Sequence, residues 1–137
     1  MPDIYYHSHA VERSEIDELG HANNVAYIAW LQAAATAHSA AQGWPGPRYR
    51  TLGQGWVVRS HAIEYLQPAF AGDRIAVETW VATMKKVTSL RRYRIVRAGD
   101  AALLATAETN WAFVDLQSGK PVRIPVEVAT AFVVVER

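Results

Sequence analysis

The sequence of 137 residues contains no cysteine. Disulfide bonds, thiolate metal sites and a cysteine nucleophile are therefore excluded together, and any catalyst has to come from other side chains. The formal net charge is only +1, so no overall field attracts the chain to nucleic acid or to an anionic membrane. Residues 1–5 lack a basic segment followed by an apolar run, which predicts no secretory signal and a cytoplasmic location.

The composition is that of a folded globular protein. Half of the residues are hydrophobic and a fifth are charged, which is far from the low hydrophobicity and high charge of disordered chains. The length is enough for one hydrophobic core and too short for two. We therefore expect one domain covering residues 1–137, without internal repeats or linkers.

Charged residues are absent between Ala22 and Pro47. Inside this stretch, residues 25–42 are rich in alanine and include the bulky Tyr27 and Trp30. The pattern predicts a helix that is apolar nearly all round, which belongs in a protein interior or in a membrane. Because the helix carries several polar side chains and is slightly short of a membrane span, we interpret it as a buried central helix.

Five segments have the character of β-strands, one before the helix and four after it. They occupy residues 4–11, 56–66, 74–84, 87–98 and 101–116. A loop rich in glycine and proline, residues 43–55, joins the helix to the second strand, and Gly99-Asp100 is a two-residue hairpin signal that predicts antiparallel last strands. The predicted fold class is α+β, with a long central helix wrapped by an antiparallel sheet of about five strands.

A helix this apolar needs cover on every side. A single sheet of about five strands wraps only part of it. A second copy that packs on the helix or on the strand edges would provide the rest of the cover and protect the edges. We therefore expect a homo-oligomer, a homodimer or homotetramer.

The chemically informative segment is residues 15–30, where three acids, a histidine and two asparagines precede the helix. Asn23 or Asn24 is the expected N-cap. A helix N-terminus offers unpaired N–H groups to an oxygen that gains negative charge, and a nearby carboxylate such as Asp17 could act as base or nucleophile. Acyl transfer to water is the reaction class that fits. The alternative is a loop of solvated acids and capping asparagines, because helix N-termini attract acids for the same dipole reason.

The same segment carries a motif. It resembles the pattern D-x-D-x-x-G-H-x-N-N-x-x-Y, with an aromatic residue three positions further on, of the hotdog thioesterases. These include the 4-hydroxybenzoyl-CoA thioesterase type and the plant acyl-ACP thioesterases. Weaker likeness continues through residues 63–75 and 115–125. The matching residues are Asp17, Gly20, His21, Asn23, Asn24, Tyr27 and Trp30.

The resemblance implies the hotdog fold and hydrolysis of an acyl-CoA thioester to free acid and CoA. It assigns Asp17 as general base or nucleophile and the backbone amide of Asn24 as the group that polarises the carbonyl. His21 would orient Asp17 or bond to substrate, although a structural histidine is an equal alternative. Asn23 and Tyr27 are predicted substrate contacts.

Coenzyme A would be part of the substrate, with acyl-ACP as an alternative carrier, and no cofactor or metal is predicted. Lys85, Lys86 and Arg92 are the predicted phosphate contacts, since basic residues at this strand junction bind CoA in relatives. Alternating arginines on a strand can equally form a solvated face.

Three departures from the motif narrow the expected mechanism. Glu15 stands at the first Asp position, Leu19 replaces an Asn of the plant enzymes, and Asn24 replaces a His that assists catalysis in some bacterial relatives. A dyad is therefore not supported, and Asp17 would work with a backbone N–H alone. The other hypotheses are a hotdog hydratase or dehydratase, which the N-N-x-x-Y ending disfavours, and a non-catalytic acyl-CoA-binding module.

Overall fold

A computed structural model describes residues 3–137. The predicted domain of residues 1–137 also includes Met1 and Pro2, which lie outside the described residues. Strands and helices follow in the expected order, one strand, a long helix and then four strands. The bounds are β1 Tyr5–Ala10, α1 Asn24–Ala41, α2 Gly46–Leu52, β2 Gln54–Tyr65, β3 Arg74–Met84, β4 Thr88–Arg97, β5 Leu103–Asp115 and α3 Val126–Ala129.

The five strands form one antiparallel sheet in the order β1-β3-β4-β5-β2. Its two edges are β1 and β2, the strands that flank α1 in sequence. Alternation along β3 buries Ile75, Val77 and Thr79 on the face that receives the helix. The predicted α+β class, with a long helix and an antiparallel sheet of about five strands, is therefore confirmed.

Helix α1 begins where the Asn23 side chain accepts a hydrogen bond from the Ala26 amide at 2.8 Å. Asn23 is thus the N-cap, and Asn24 is the first helical residue. One face of α1, which includes the fully buried Leu31, packs with β3, β4 and β5 in the main core. The opposite face is exposed in the single chain, with Val25 at 77%, so the prediction of a buried helix holds for only one side of it.

The predicted loop 43–55 was wrong, because it contains the seven-residue helix α2. Pro47 stands in the first turn, where its missing N–H costs nothing and its fixed φ favours the helix. Gly53 ends the helix with φ 78°, a left-handed conformation that glycine adopts without a steric penalty. The glycines and prolines, which were predicted to form a loop, mark the two ends of a short helix.

The two-residue hairpin predicted at Gly99-Asp100 was also wrong in length. Residues 98–102 form a five-residue connection between β4 and β5, which do pair antiparallel as expected. The Asp100 carboxylate accepts from the Ala102 amide at 3.1 Å and from Arg97 Nη1 at 3.0 Å. Ala101 has φ 60°, a left-handed conformation. The Asp100 side chain therefore stabilises a longer turn than the two-residue hairpin that the sequence predicts.

After β5, the chain returns beneath α2. Trp44, Phe113, Ile124 and Val128 form a second buried cluster there, so α3 covers the end of the sheet that α1 leaves open. Within residues 3–137, no helix is long and apolar enough to cross a membrane.

Candidate functional site

Asp17 lies in a short loop that is fixed at both ends. The amide of Asp17 donates to the His21 carbonyl at 2.9 Å, and Ile16 forms a bridge with Ala22. The Ala22 amide in turn donates to the Ala69 carbonyl at 2.8 Å, which ties the loop to the segment after β2. Backbone hydrogen bonds therefore fix the base of the loop and tie it to the segment that follows β2.

One oxygen of the Asp17 carboxylate is held and the other is free. Oδ1 accepts from the Leu19 amide at 2.9 Å, an Asx turn that fixes the side chain. Oδ2 lies 3.7 Å from His21 Nδ1, too far for a hydrogen bond but close enough for electrostatic attraction when the ring is charged. The Asp17 side chain is 33% exposed, so it is accessible to water and substrate.

The amides at the start of α1 lie beside this loop. The backbone amide and the side-chain amide of Asn23 both donate to the Glu15 carbonyl, at 2.8 and 3.0 Å. Asp17 lies two residues after Glu15, and Asn24 directly follows Asn23, so this contact holds the Asp17 loop against the start of α1. The Asn23 side chain satisfies Ala26. The amides of Asn24 and Val25 have no acceptor among the described residues, so they form a positive helix end facing the surface.

Glu15 has a structural role that the sequence did not indicate. Its Oε1 accepts from the Glu12 amide at 2.9 Å and contacts His9 Nε2 at 2.8 Å, and its Oε2 accepts from Trp30 Nε1 at 2.7 Å. The carboxylate thus joins β1, the Asp17 loop and α1. Burial raises the pKa of Glu15, but the hydrogen bonds from Glu12, His9 and Trp30 outweigh it and hold the pKa below its usual value.

Replacing Glu15 with glutamine is expected to lower the free energy of unfolding at pH 7 by about 1–3 kcal/mol, because hydrogen bonds to a charged acceptor are lost. A carboxylate with a lowered folded pKa stabilises the fold above its unfolded pKa, about 4.3, and this stabilisation disappears as the pH falls through the folded value. Urea unfolding at pH 7 and at pH 3 should therefore show a larger difference between wild type and variant at pH 7.

The matched control is Glu18→Gln, which removes the same charge from an exposed side chain and should leave stability within about 0.5 kcal/mol. Equal stability losses for the two variants, or a Glu15 effect that does not change with pH, would show that the Glu15 hydrogen bonds do not hold the loop.

Tyr27 is placed in the core. It is 2% exposed, its ring contacts Trp30 and Tyr65 at centroid distances of 4.7 and 5.0 Å, and burial raises its pKa. The Tyr65 hydroxyl donates to the Asn24 carbonyl at 3.3 Å. Within one chain Tyr27 therefore packs beneath the helix start, and its role as a substrate contact stays a prediction.

The predicted phosphate contacts are not brought to Asp17 in a single chain. Lys85 and Lys86 are exposed in the turn between β3 and β4. The Asp17 loop adjoins the opposite end of β3, where Arg74 pairs with Ala10, and an eleven-residue strand such as β3 is about 33 Å long. Arg92 lies on the sheet face away from α1 and pairs with Glu108 at 3.5 Å.

A family profile described as thioesterase-like superfamily matches residues 11–132 of the chain. An acyl-CoA thioesterase from Haemophilus influenzae, YbgC, is 39% identical over 77 residues. These residues make up 56% of this chain and 55% of that protein, so the match spans about half the length of the relative.

Solved structures agree on the architecture. A 1,4-dihydroxy-2-naphthoyl-CoA thioesterase from Synechocystis superposes with a TM-score of 0.86 at 20% identity, over 93% of this chain and 94% of that one. The protein SAV2348 from Staphylococcus aureus, solved in complex with CoA, gives 0.87 at 15% identity, over 93% and 80%. At these identities the likeness establishes the fold alone, and with the family match it confirms the hotdog resemblance. The chain belongs to the thioesterase-like superfamily.

Proposed function

We propose that the chain hydrolyses an acyl-CoA thioester to the free acid and CoA, with Asp17 as general base or nucleophile and the Asn24 amide polarising the carbonyl. The proposal rests on one observation. Oδ2 of Asp17 accepts no hydrogen bond, and the loop that carries it is hydrogen-bonded through the Glu15 carbonyl to Asn23, the residue just before the unpaired amides of Asn24 and Val25. A thioester oxygen that becomes negative needs such donors, and a carboxylate on the same loop is within reach of the carbonyl carbon.

Hydrolysis of the thioester would proceed by one of two routes. As a base, Asp17 takes a proton from water while the hydroxyl adds to the carbonyl carbon, and the C–S bond then breaks with transfer of the proton to sulfur. As a nucleophile, its carboxylate displaces the CoA thiolate and forms an anhydride that water hydrolyses. His21, 3.7 Å from Asp17, stays a secondary candidate for orienting the carboxylate.

Coenzyme A is the proposed carrier, since the YbgC relative is an acyl-CoA thioesterase and a structural neighbour was solved with CoA; acyl-ACP is the alternative. Lys85 and Lys86 are the proposed phosphate contacts. Because they lie at the far end of β3 from the Asp17 loop, they can serve that site only from a second copy of the chain. Arg92, already paired with Glu108, is the weaker candidate.

Two unpartnered surfaces of the single chain support a homodimer or homotetramer. The exposed face of α1 includes Val25, Ala29 and Ala33, and the outer edge of β2 has no strand beside it among the described residues. Sedimentation equilibrium should give a multiple of the 15.2 kDa chain mass. A monomer at all concentrations would overturn the proposed assembly and leave the lysines without access to Asp17.

The proposed activity is tested with the purified protein, a panel of aliphatic and aromatic acyl-CoAs and a thiol reagent that detects free CoA. We expect steady release of CoA from part of the panel. Addition of water to an enoyl-CoA without CoA release would favour the hydratase alternative. Saturable binding of acyl-CoAs with no turnover would favour a binding module.

A further inference from the structure

A cavity of about 240 Å³ lies between the C-terminal half of α1, helix α2 and the sheet. Its walls are mostly apolar and aromatic, with Trp44, Trp56, Met84 and Phe132 among them. The one charged residue in its lining is Arg91, and the lining contains no Asp or Glu. The cavity is therefore an apolar space with a single positive charge in its wall.

Arg91 is 5% exposed, and the groups it contacts are neutral. Its Nη1 lies 2.9 Å from His38 Nδ1 and donates to Thr79 Oγ1 at 3.1 Å. Burial, together with the Arg91 cation, lowers the pKa of His38 to about 4, so its ring is neutral near pH 7 and Nδ1 accepts the hydrogen bond. A buried cation is stable only with compensating partners, and here no carboxylate supplies them.

Some hydrogen-bond donors in the cavity wall have no acceptor. Nε and Nη2 of Arg91 have no acceptor within residues 3–137. Trp111 also lines the cavity, and its buried Nε1 lies near the Tyr93 hydroxyl without completing a hydrogen bond. The donors of a buried arginine are almost always paired, so Nε and Nη2 of Arg91 indicate an acceptor that the chain itself does not provide. Trp111 Nε1, in contrast, lies beside an acceptor of the chain, the Tyr93 hydroxyl oxygen.

We propose that this cavity binds a small organic carboxylate, an aromatic or short aliphatic acid whose carboxylate pairs with Arg91 and whose body packs on the tryptophans. An arginine fork matches a carboxylate in shape as well as charge. The apolar walls would leave a phosphate ion poorly solvated, and the volume is too small for CoA. A monoanion with a compact apolar body is the ligand class that satisfies both features.

The cavity is distinct from the proposed thioesterase site within one chain. His38, which binds Arg91, follows Asn24 by fourteen residues, and this separation corresponds to about 21 Å along a helix. Within one chain the two sites are therefore separate, and the Asp17→Asn variant below tests whether they meet in the assembly.

The first test compares 3-phenylpropionate with 3-phenylpropionamide, which has the same body without the charge. Both are titrated into ¹⁵N-labelled wild-type protein, with the Trp111 indole N–H resonance assigned through Trp111→Phe. We expect saturable binding of the acid that shifts this resonance, and binding of the amide about ten- to a hundredfold weaker. Equal binding of acid and amide, or no saturable binding of the acid, would overturn the proposal.

The second test uses variants. Arg91→Met should lose the preference for the acid, whereas Arg92→Met, on the same strand but facing away from α1, should retain it. Asp17→Asn should bind the acid as wild type does, and a loss of binding there would instead place the acid at the thioesterase site. If Arg91→Met does not fold, the comparison of acid and amide on wild type still decides.

Discussion

Replacing Asp17 with asparagine is expected to lower kcat for thioester hydrolysis by about 10²–10⁴-fold, the usual contribution of a positioned acid–base group. Asparagine has nearly the same shape, and its side-chain oxygen can still accept from the Leu19 amide. It cannot take a proton from water or attack a carbonyl at neutral pH. The turnover number, measured as CoA release on each hydrolysed acyl-CoA, should therefore collapse while the melting temperature stays close to that of wild type.

The matched control is Glu18→Gln, the adjacent residue, whose exposed side chain loses the same charge. We expect it to keep wild-type turnover. Full activity of Asp17→Asn on every hydrolysed substrate would mean that another group activates the water, and the proposed mechanism would then be wrong.

Replacing Asn24 with proline should remove the polarising amide and leave the helix intact. Proline has no N–H, but at the first helical position that N–H has no helical partner and the fixed φ suits the helix. Asn23 already has φ −74° and ψ 159°, the extended conformation that a residue before proline prefers. Loss of one donor to a developing oxyanion costs about 10²–10³-fold in kcat, which steady-state CoA release by the variant would measure.

Asn24→Ala is the control, because it removes the side chain and retains the amide. The two variants should have similar melting temperatures and very different turnover. Equal activity in both would assign the polarising role to another donor, with the Val25 amide as the first to examine.

The regular elements were predictable because their patterns are local. Alternation along β3 and the charge-free stretch before Pro47 define a strand and a helix within a few residues of their bounds. Helix α2 was not predictable in the same way, since seven residues with three arginine or tyrosine side chains and a proline have no clear period. Tertiary contacts of Tyr49 with Trp44 and Ser39 stabilise it, and such contacts cannot be derived from local spacing.

The site was predictable to the extent that the motif is contiguous. Asp17, His21 and Asn24 lie on one loop and helix end, as the spacing suggested. Glu15 was interpreted only as a departure from the motif, because its partners His9 and Trp30 are reached through the fold. Arg92 was predicted as a phosphate contact, but its neighbour Arg91 was not singled out, because its burial against His38 is reached only through the fold.

The strand order also affects the protein while it is being synthesised. Tyr5 pairs with Thr79, 74 residues further along, and the loop that carries Asp17 is tied to Ala69. At about 5–20 residues per second, the ribosome needs about 3–13 s to add the 64 residues between Ala41, the end of α1, and Ala105, a core residue of β5. During that interval the sheet that covers the apolar helix α1 is incomplete. We therefore expect the nascent chain to bind chaperones that shield hydrophobic segments.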